Sequence, residues 1–354
     1  KWLCMMYPRL KLLQKLLAED GAIFISIDDT EYANLKLICD EIFGSNCFVS
    51  NISWQRTYST RNDSKGIVNE VEHLVVYSKQ PGWNPNKLPR TEEMNARYKN
   101  PDNDEIPWKS SDAFAPGASS HPGMVYAVQH PFSGELIYPT NGRHWAFGQD
   151  QVLEIMRGWG NYELRQINDE ARRAEICGIS IEDVRHDVMA IMLTDTIEVA
   201  RTKALQIYDR GRWPLFCFSN RGKSGIRRKT YLEGVGGKLP TNLWLYSDVG
   251  HTDEAAKTLK AIFDGKATFD TPKPSRLIER ILQIAGDSET LILDSFAGSG
   301  TTAHAVLNMN KADGGHRKFI LLEMMDYAES ITAERVRRVI RGYGEGKNAV
   351  EGTG

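Results

Sequence analysis

The sequence predicts an α/β fold, on three observations. A helix, a strand and a second helix follow one another between Trp2 and Gly44. The same alternation returns between Ser275 and Ile340, and a glycine-rich turn there joins an apolar strand to a helix.

Along residues 2 to 20, Trp2, Met5, Met6, Leu10, Leu13, Leu16 and Leu17 recur at helical spacing, with Gly21 as the expected C-cap. Ala22 to Ile27 is a nearly continuous apolar run that exits into Asp28 and Asp29, the pattern of a buried parallel strand. A helix from Glu31 to Phe43 should stop at Gly44, and strand-like stretches follow at Asn51 to Arg56 and at His73 to Tyr77. From Gln80 to Pro139 prolines punctuate a stretch rich in Asn, Ser, Gly and Trp, where regular structure should be sparse.

Residues 161 to 210 read as a charged helical insert, a solvated helical pair or dimerisation element. The aromatic runs at Leu215 to Phe218 and Leu243 to Tyr246 predict a small β-rich module. Helix Ser275 to Ala285, strand Thr290 to Asp294, helix Thr301 to Asn310, strand Lys318 to Glu323 and a helix from about Ser330 to Ile340 complete the order.

The 354 residues are 41% hydrophobic and 25% charged, which excludes wholesale disorder and allows two cored domains. A formal net charge of −2 gives no global pull toward nucleic acid, so any such evidence must be local. No stretch has the length of a membrane span, and the N-terminus lacks the order of a secretory signal; a cytoplasmic protein is expected. The five cysteines are scattered and form no C-x-x-C pair, so buried free thiols are expected rather than disulfides or zinc. The histidines show no metal-ligand spacing, and no metal site is predicted.

The strongest local signal is Asp294-Ser295-Phe296-Ala297-Gly298-Ser299-Gly300-Thr301-Thr302. Glycines let backbone approach a ligand, and the free N–H groups of a helix start favour a polar or anionic group. Glu323 ends the next strand, where a carboxylate can take both hydroxyls of a ribose. A phosphate-cradling loop would need G-x-x-x-x-G-K-S/T, and no lysine follows Gly300. Gly298 to Ala303 fits the dinucleotide turn G-x-G-x-x-G/A, so a nicotinamide-dependent oxidoreductase stays open on the turn alone, as does a tight connection without ligand. Ser299 lacks the G-x-S-x-G frame of a hydrolase nucleophile.

Upstream stands Phe269-Asp270-Thr271-Pro272-Lys273-Pro274-Ser275-Arg276-Leu277-Ile278. With the turn, it resembles the cofactor-binding half of β-class DNA amino-methyltransferases. Trp2, Met5, Met6, Pro8, Arg9 and Leu10, the run Gly21 to Glu31, and Glu72 to Lys79 match the family's catalytic half. Tyr138, Pro139, Gly142, Arg143 and Trp145, and Arg228, Lys229, Tyr231 and Leu232, are similar to the modification subunit of type III restriction-modification systems.

The resemblance implies a Rossmann-like S-adenosylmethionine-dependent methyltransferase fold with circularly permuted motif order and an inserted target-recognition domain. It places the catalytic half at 1–80, target recognition at 81–265, the S-adenosylmethionine-binding half at 266–341 and a truncated tail at 342–354. It implies that Asp294, Phe296, Gly298, Gly300 and Thr301 surround the methionine part of S-adenosylmethionine, Glu323 its ribose, and Thr271, Lys273 and Pro274 the other side. Lys273 is either a partner for the cofactor carboxylate or a solvated lysine.

The implied reaction is methylation of adenine N6 in double-stranded DNA, with N4 of cytosine as the alternative and a non-catalytic DNA-specificity module as another. A homodimer and a restriction subunit are the implied protein partners. The family's Asp/Asn/Ser-Pro-Pro-aromatic motif is absent, since the chain contains no adjacent prolines. By resemblance the motif belongs just upstream of Lys1. No catalytic residue is therefore assigned, and this polypeptide alone is expected to be inactive and marginally stable. The densest basic cluster supplies Lys223, Arg227, Arg228 and Lys229 as DNA contacts, or else forms a solvated basic loop.

Overall fold

The computed structural model describes residues 1–58 and 66–354. It divides into two compact units: Lys1–Pro89 with Gly237–Gly354, and between them in sequence Arg90–Gly236. The bounds of 81 and 265 that the resemblance implies for target recognition lie 9 and 29 residues outside the second unit.

In the first unit, helix α1 (Trp2–Leu16) ends at Leu17, whose N–H donates to the Leu13 carbonyl. Gly21, expected as its cap, serves close approach instead: a Cβ there would lie 2.9 Å from Leu17 Cδ1. Strand β1 (Ala22–Ile27) leads into α2 (Asp29–Phe43), capped by the Asp28 carboxylate on the Thr30 N–H and closed at Gly44 with φ +90°. Strands β2 (Phe48–Gln55) and β3 (Val71–Ser78), with the short β4 (Leu243–Trp244), complete a four-stranded sheet of order β1-β3-β2-β4.

The expectation of a parallel strand at Ala22 to Ile27 is corrected, because β1 pairs antiparallel with β3 from Ala22↔Ser78 to Ile27↔His73. An unbroken apolar run reports burial on both faces and carries no information about direction. The run Leu243 to Tyr246 is corrected likewise: its strand joins this sheet, parallel to β2.

Side chains alternating along β3 build two cores. Val75 and Tyr77 pack with Met6 and Leu10 of α1 and Leu35, Cys39 and Phe43 of α2. Leu74 and Val76 pack with Trp54, Trp244, Leu277 and Ile284 on the other face. Leu277 and Ile284 belong to α3 (Ser275–Ala285), which turns Ile278 and Leu282 toward a third cluster.

That cluster covers the parallel pair β5 (Leu291–Asp294) and β6 (Lys318–Leu321), joined through α4 (Thr301–Asp313). Among the described residues β1 and β5 each have one strand partner, leaving an open edge on each. The helix expected from Ser330 begins as a π-helical stretch, Ala328–Ala333, before α5 (Glu334–Arg341). Residues beyond it form a small antiparallel ladder, Gly342–Tyr343 with Val350–Glu351.

The second unit is built on aromatics: Trp108, Trp145, Trp159, Trp213, Phe132, Phe216 and Phe218 share one core. Residues 161 to 210 are not a helical pair. Strands Tyr162–Arg165 and Ala190–Leu193 alternate with helices Glu170–Cys177 and Ile197–Arg210, and the two strands pair within a four-stranded sheet. The buried Ile191, Ala200 and Ala204 anchor this segment in the aromatic core. Most of its charges lie on outward faces and mask the alternation, while Arg173 and Asp169 form a buried ion pair at 2.8 Å.

Four cysteines are buried as expected, but Cys4 is exposed. Among the described residues, no helix is long and apolar enough to cross a membrane, and no three His, Cys, Asp or Glu side chains are grouped to hold a metal.

Candidate functional site

Strand β5 delivers Asp294 to the mouth of the glycine-rich turn. Its Oδ1 accepts from the Phe296 N–H at 3.1 Å and its Oδ2 from the Thr302 hydroxyl at 2.6 Å, tying the first and last parts of the turn together. Gly298 and Gly300 have φ of +52° and +78°, values that side chains other than glycine rarely adopt. A Cβ on Gly300 would lie 3.0 Å from the Thr332 carbonyl oxygen, so backbone from the π-helical stretch packs directly on it.

Glu323 faces this turn. Its Oε2 accepts from the Gly298 N–H at 2.8 Å, while Oε1 accepts from the N–H groups of Met324 and Met325 at 2.9 and 3.0 Å. The ring of Phe296 is 53% exposed beside it, with the Arg9 guanidinium of α1 5.8 Å from its centroid. Arg9 also donates toward the Met324 sulfur at 3.4 Å.

The segment before α3 lines the other side. The Thr301 hydroxyl donates to the Lys273 carbonyl at 3.2 Å, Thr271 holds φ +49°, and Pro274 is the residue from which α3 starts. The Lys273 ammonium pairs with Glu72 of β3 and lies 5.0 Å over the Trp54 ring. Its charge is therefore already answered by a carboxylate of the protein.

Thus Asp294, Phe296, Gly298, Gly300, Thr301 and Glu323 gather at one corner, with the backbone of 271–274 alongside. The corner suits a nucleoside ligand: glycine backbone where a side chain would intrude, an uncovered aromatic ring, and a carboxylate at the strand exit.

Beneath the turn lies a polar network missed in the sequence. Arg335, 2% exposed, donates through Nη1 to the Ser299 hydroxyl at 2.9 Å and the Thr301 hydroxyl at 2.8 Å, and contacts the Ser299 carbonyl at 3.3 Å. Its Nη2 meets His304 Nδ1 at 3.1 Å. Burial, and then the Arg335 charge, push the His304 ring down to about 3, so it stays neutral and accepts. Burial lowers the guanidinium to about 10, which leaves it charged at neutral pH. The available signal was an arginine on the buried stripe of α5, one turn before Val339.

In the second unit the basic cluster divides. Lys223 and Arg227 are exposed, Arg227 donating to the Ser110 hydroxyl at 3.1 Å. The Arg228 guanidinium lies 5.4 Å over the Phe147 ring. Lys229 is corrected as a DNA contact: its side chain is 0% exposed and its ammonium sits 2.5 Å from Asp102 and 2.6 Å from Asp104. Arg221 pairs with Asp209. Arg227 also lines an open depression of about 520 Å³ with Ser110, Asp112, Thr140 and Arg143.

The chain matches the DNA methylase family over residues 1–159 and 196–334. It is 32% identical to the Mod subunit of the type III restriction-modification enzyme StyLTI of Salmonella typhimurium, over 90% of this chain and 40% of that protein. It is 29% identical to the type II methyltransferase M.KpnI of Klebsiella pneumoniae, over 91% and 67%. It is 30% identical to the Mod subunit of the type III enzyme EcoPI of Escherichia phage P1, over 91% and 45%. The chain therefore spans less than half the length of these two Mod subunits.

Proposed function

Because the chain belongs to the DNA methylase family, we propose that it serves a restriction-modification enzyme that methylates an exocyclic amine of double-stranded DNA, N6 of adenine, using S-adenosylmethionine. The observation that carries this is Glu323, whose carboxylate is turned onto the Gly298 N–H at the exit of the strand next to the turn. Family membership favours S-adenosylmethionine over the nicotinamide dinucleotide that the turn alone leaves open.

S-adenosylmethionine brings a methyl group on a positively charged sulfur, with a neutral thioether as leaving group. Glu323 would take the ribose hydroxyls, exchanging its bonds to backbone N–H groups for them. Phe296 would offer its uncovered ring, and Asp294, Gly298, Gly300 and Thr301 would shape the wall around the amino-acid part. Thr271, Lys273 and Pro274 would close the opposite side through their backbone.

The methyl transfer step is assigned to no residue of this chain, so these groups act by alignment. The target base must leave the duplex stack to reach the sulfonium, which makes DNA grip by the second unit part of the reaction. Lys223, Arg227 and Arg228 are the residues for that grip.

In this reading the fold is a circularly permuted methyltransferase, with residues 1–80 as its catalytic half and 266–341 as its cofactor half. The second unit would be the target-recognition domain. A restriction subunit, for which the likeness to Mod subunits speaks, and a second copy of the chain are the protein partners in this reading.

Calorimetry with S-adenosylmethionine against NAD tests the cofactor. Saturable binding of the first alone is expected, and binding of NAD alone would overturn the proposal. Methylation by the whole enzyme, followed by nucleoside analysis, separates N6-methyladenine from N4-methylcytosine.

A further inference from the structure

The open depression of about 520 Å³ in the second unit carries unused hydrogen-bonding groups of both kinds. Arg143 donates from Nη1 to Asp112 Oδ2 at 2.5 Å and from Nη2 to the Phe114 carbonyl at 2.8 Å. A guanidinium has five N–H donors, so part of this fork remains free. Asp112 Oδ1 accepts from no donor among the described residues. Arg227, on the same lining, donates from Nε to the Ser110 hydroxyl and has no protein acceptor on either Nη among the described residues.

The frame under these groups is fixed by the core. Arg143 opens the strand Arg143–Trp145, which pairs with Phe114–Pro116 and sets Arg143 opposite Pro116. Asp112 precedes Ala113, which is fully buried and whose carbonyl accepts from the Ala146 N–H at 3.0 Å. Trp145, also 0% exposed, anchors the strand among the aromatics. The Arg143 and Asp112 side chains themselves stay 35% and 39% exposed. An ion pair that open adds little to stability, so the fold gives no reason for this pair to stand in a concave site.

The mixture of signs selects the ligand. A site for phosphate alone would present donors only, since a free carboxylate oxygen repels a phosphate. The major-groove edge of a G·C base pair asks for both kinds of group. Guanine offers O6 and N7 as acceptors, which arginine answers, and cytosine offers its N4 amine, which aspartate answers.

We propose that the depression is a base-reading site for a G·C pair of double-stranded DNA, with Arg143 donating to guanine and Asp112 Oδ1 accepting from the cytosine amine. The inference rests on the DNA methylase reading above and names residues that set its sequence preference. Asp112 holds Arg143 through Oδ2, so one carboxylate both orients the guanidinium and reads a base. Lys223 and Arg227 keep their place on the phosphates, which carry no sequence information.

The test presents the whole enzyme with a pool of duplexes randomised in sequence, recovers and sequences the bound DNA, and titrates single-pair replacements of the selected site. Wild type is expected to select a site with at least one preferred G·C pair. Arg143→Ala and Asp112→Ala should each relax the preference at that one pair, from about 10- to 100-fold to under about threefold, and leave the other positions as they were. Lys223→Ala should instead weaken all sequences alike.

Variants that select the wild-type site unchanged, or that lose affinity evenly for every sequence, would reduce the pair to a surface ion pair and overturn the proposal. A wild-type site without a preferred G·C pair would overturn it too. Should either variant fail to fold by circular dichroism, the other decides alone by the same outcomes. A wild-type enzyme that binds no DNA would instead remove the DNA methylase reading of this chain, and this inference with it.

Discussion

Replacing Lys229 with methionine should unfold the second unit's ladder from within. The Lys229 ammonium is fully buried between Asp102, whose side chain is also 0% exposed, and Asp104, 17% exposed. Removing one partner of a buried ion pair costs roughly 3–5 kcal/mol, because the remaining charge is stranded. Asp102 keeps two donors in the variant, Trp108 Nε1 at 2.7 Å and the Trp213 N–H at 2.8 Å, so the lower end, about 3 kcal/mol, applies. Trp108 and Trp213 flank the site and report unfolding by fluorescence in urea.

Asp104 adds a pH signature. Burial raises its carboxyl, but the hydrogen bonds from Lys229 and Tyr231 outweigh that and hold it below its ordinary 3.8. A depressed carboxylate stabilises above its unfolded value and loses that contribution as pH falls, so the wild type should weaken below about pH 4 and Lys229→Met should do so less. Adding Asp102→Asn to the variant should recover part of the loss. A cost under about 1 kcal/mol for Lys229→Met would show that the ammonium is hydrated, and would refute this account.

Four further outcomes are expected. Glu323→Ala should weaken S-adenosylmethionine about 10- to 100-fold by calorimetry, the worth of hydrogen bonds to a charged group, and an unchanged affinity would place the ribose elsewhere. Gly300→Ala should lower stability by about 1–2 kcal/mol in urea, since φ +78° strains any Cβ and the Thr332 carbonyl lies 3.0 Å away. Lys223→Ala and Arg227→Ala should each flatten the salt dependence of DNA affinity by about one unit of slope in a titration series, whereas Lys229→Met should leave that slope alone. His304 is held neutral, its folded value near 3 against an ordinary 6.5, so stability is full above pH 6.5 and declines as pH falls toward 3; His304→Gln should remove that decline in thermal melts.

Much of the first unit was legible because its signals are local. The α2 helix carries its own cap at Asp28 and its own stop at Gly44, and α3 spans the residues its apolar period marks. Asp294, Gly298, Gly300 and Glu323 could be grouped because a strand, a tight turn and a helix start fix their separation along the chain.

Long-range choices left no such mark. Nothing in Ala22 to Ile27 tells which neighbour it meets, and β3 arrives from more than 40 residues downstream. The segment 161 to 210 has charged outward faces that imitate a solvated helix, while its strands are short and their partners distant. Lys229 looks like its neighbours Arg227 and Arg228 until Asp102 and Asp104, more than 120 positions earlier, fold over it. Arg335 was hidden by its company, one of four arginines in an eight-residue helix.

The ion pair between Glu72 and Lys273 joins positions 201 residues apart, on either side of the second unit. A ribosome adding roughly 5–20 residues per second needs about 10–40 s to deliver the lysine after the glutamate. During that interval the nascent β-sheet holds Trp54 without the indole's later cover from Lys273 and Trp244, and the outer edge of β2 lacks its partner β4. Until the intervening unit has been made, the early sheet therefore keeps one strand edge open to pairing with other chains, and that edge closes only when Leu243 and Trp244 emerge.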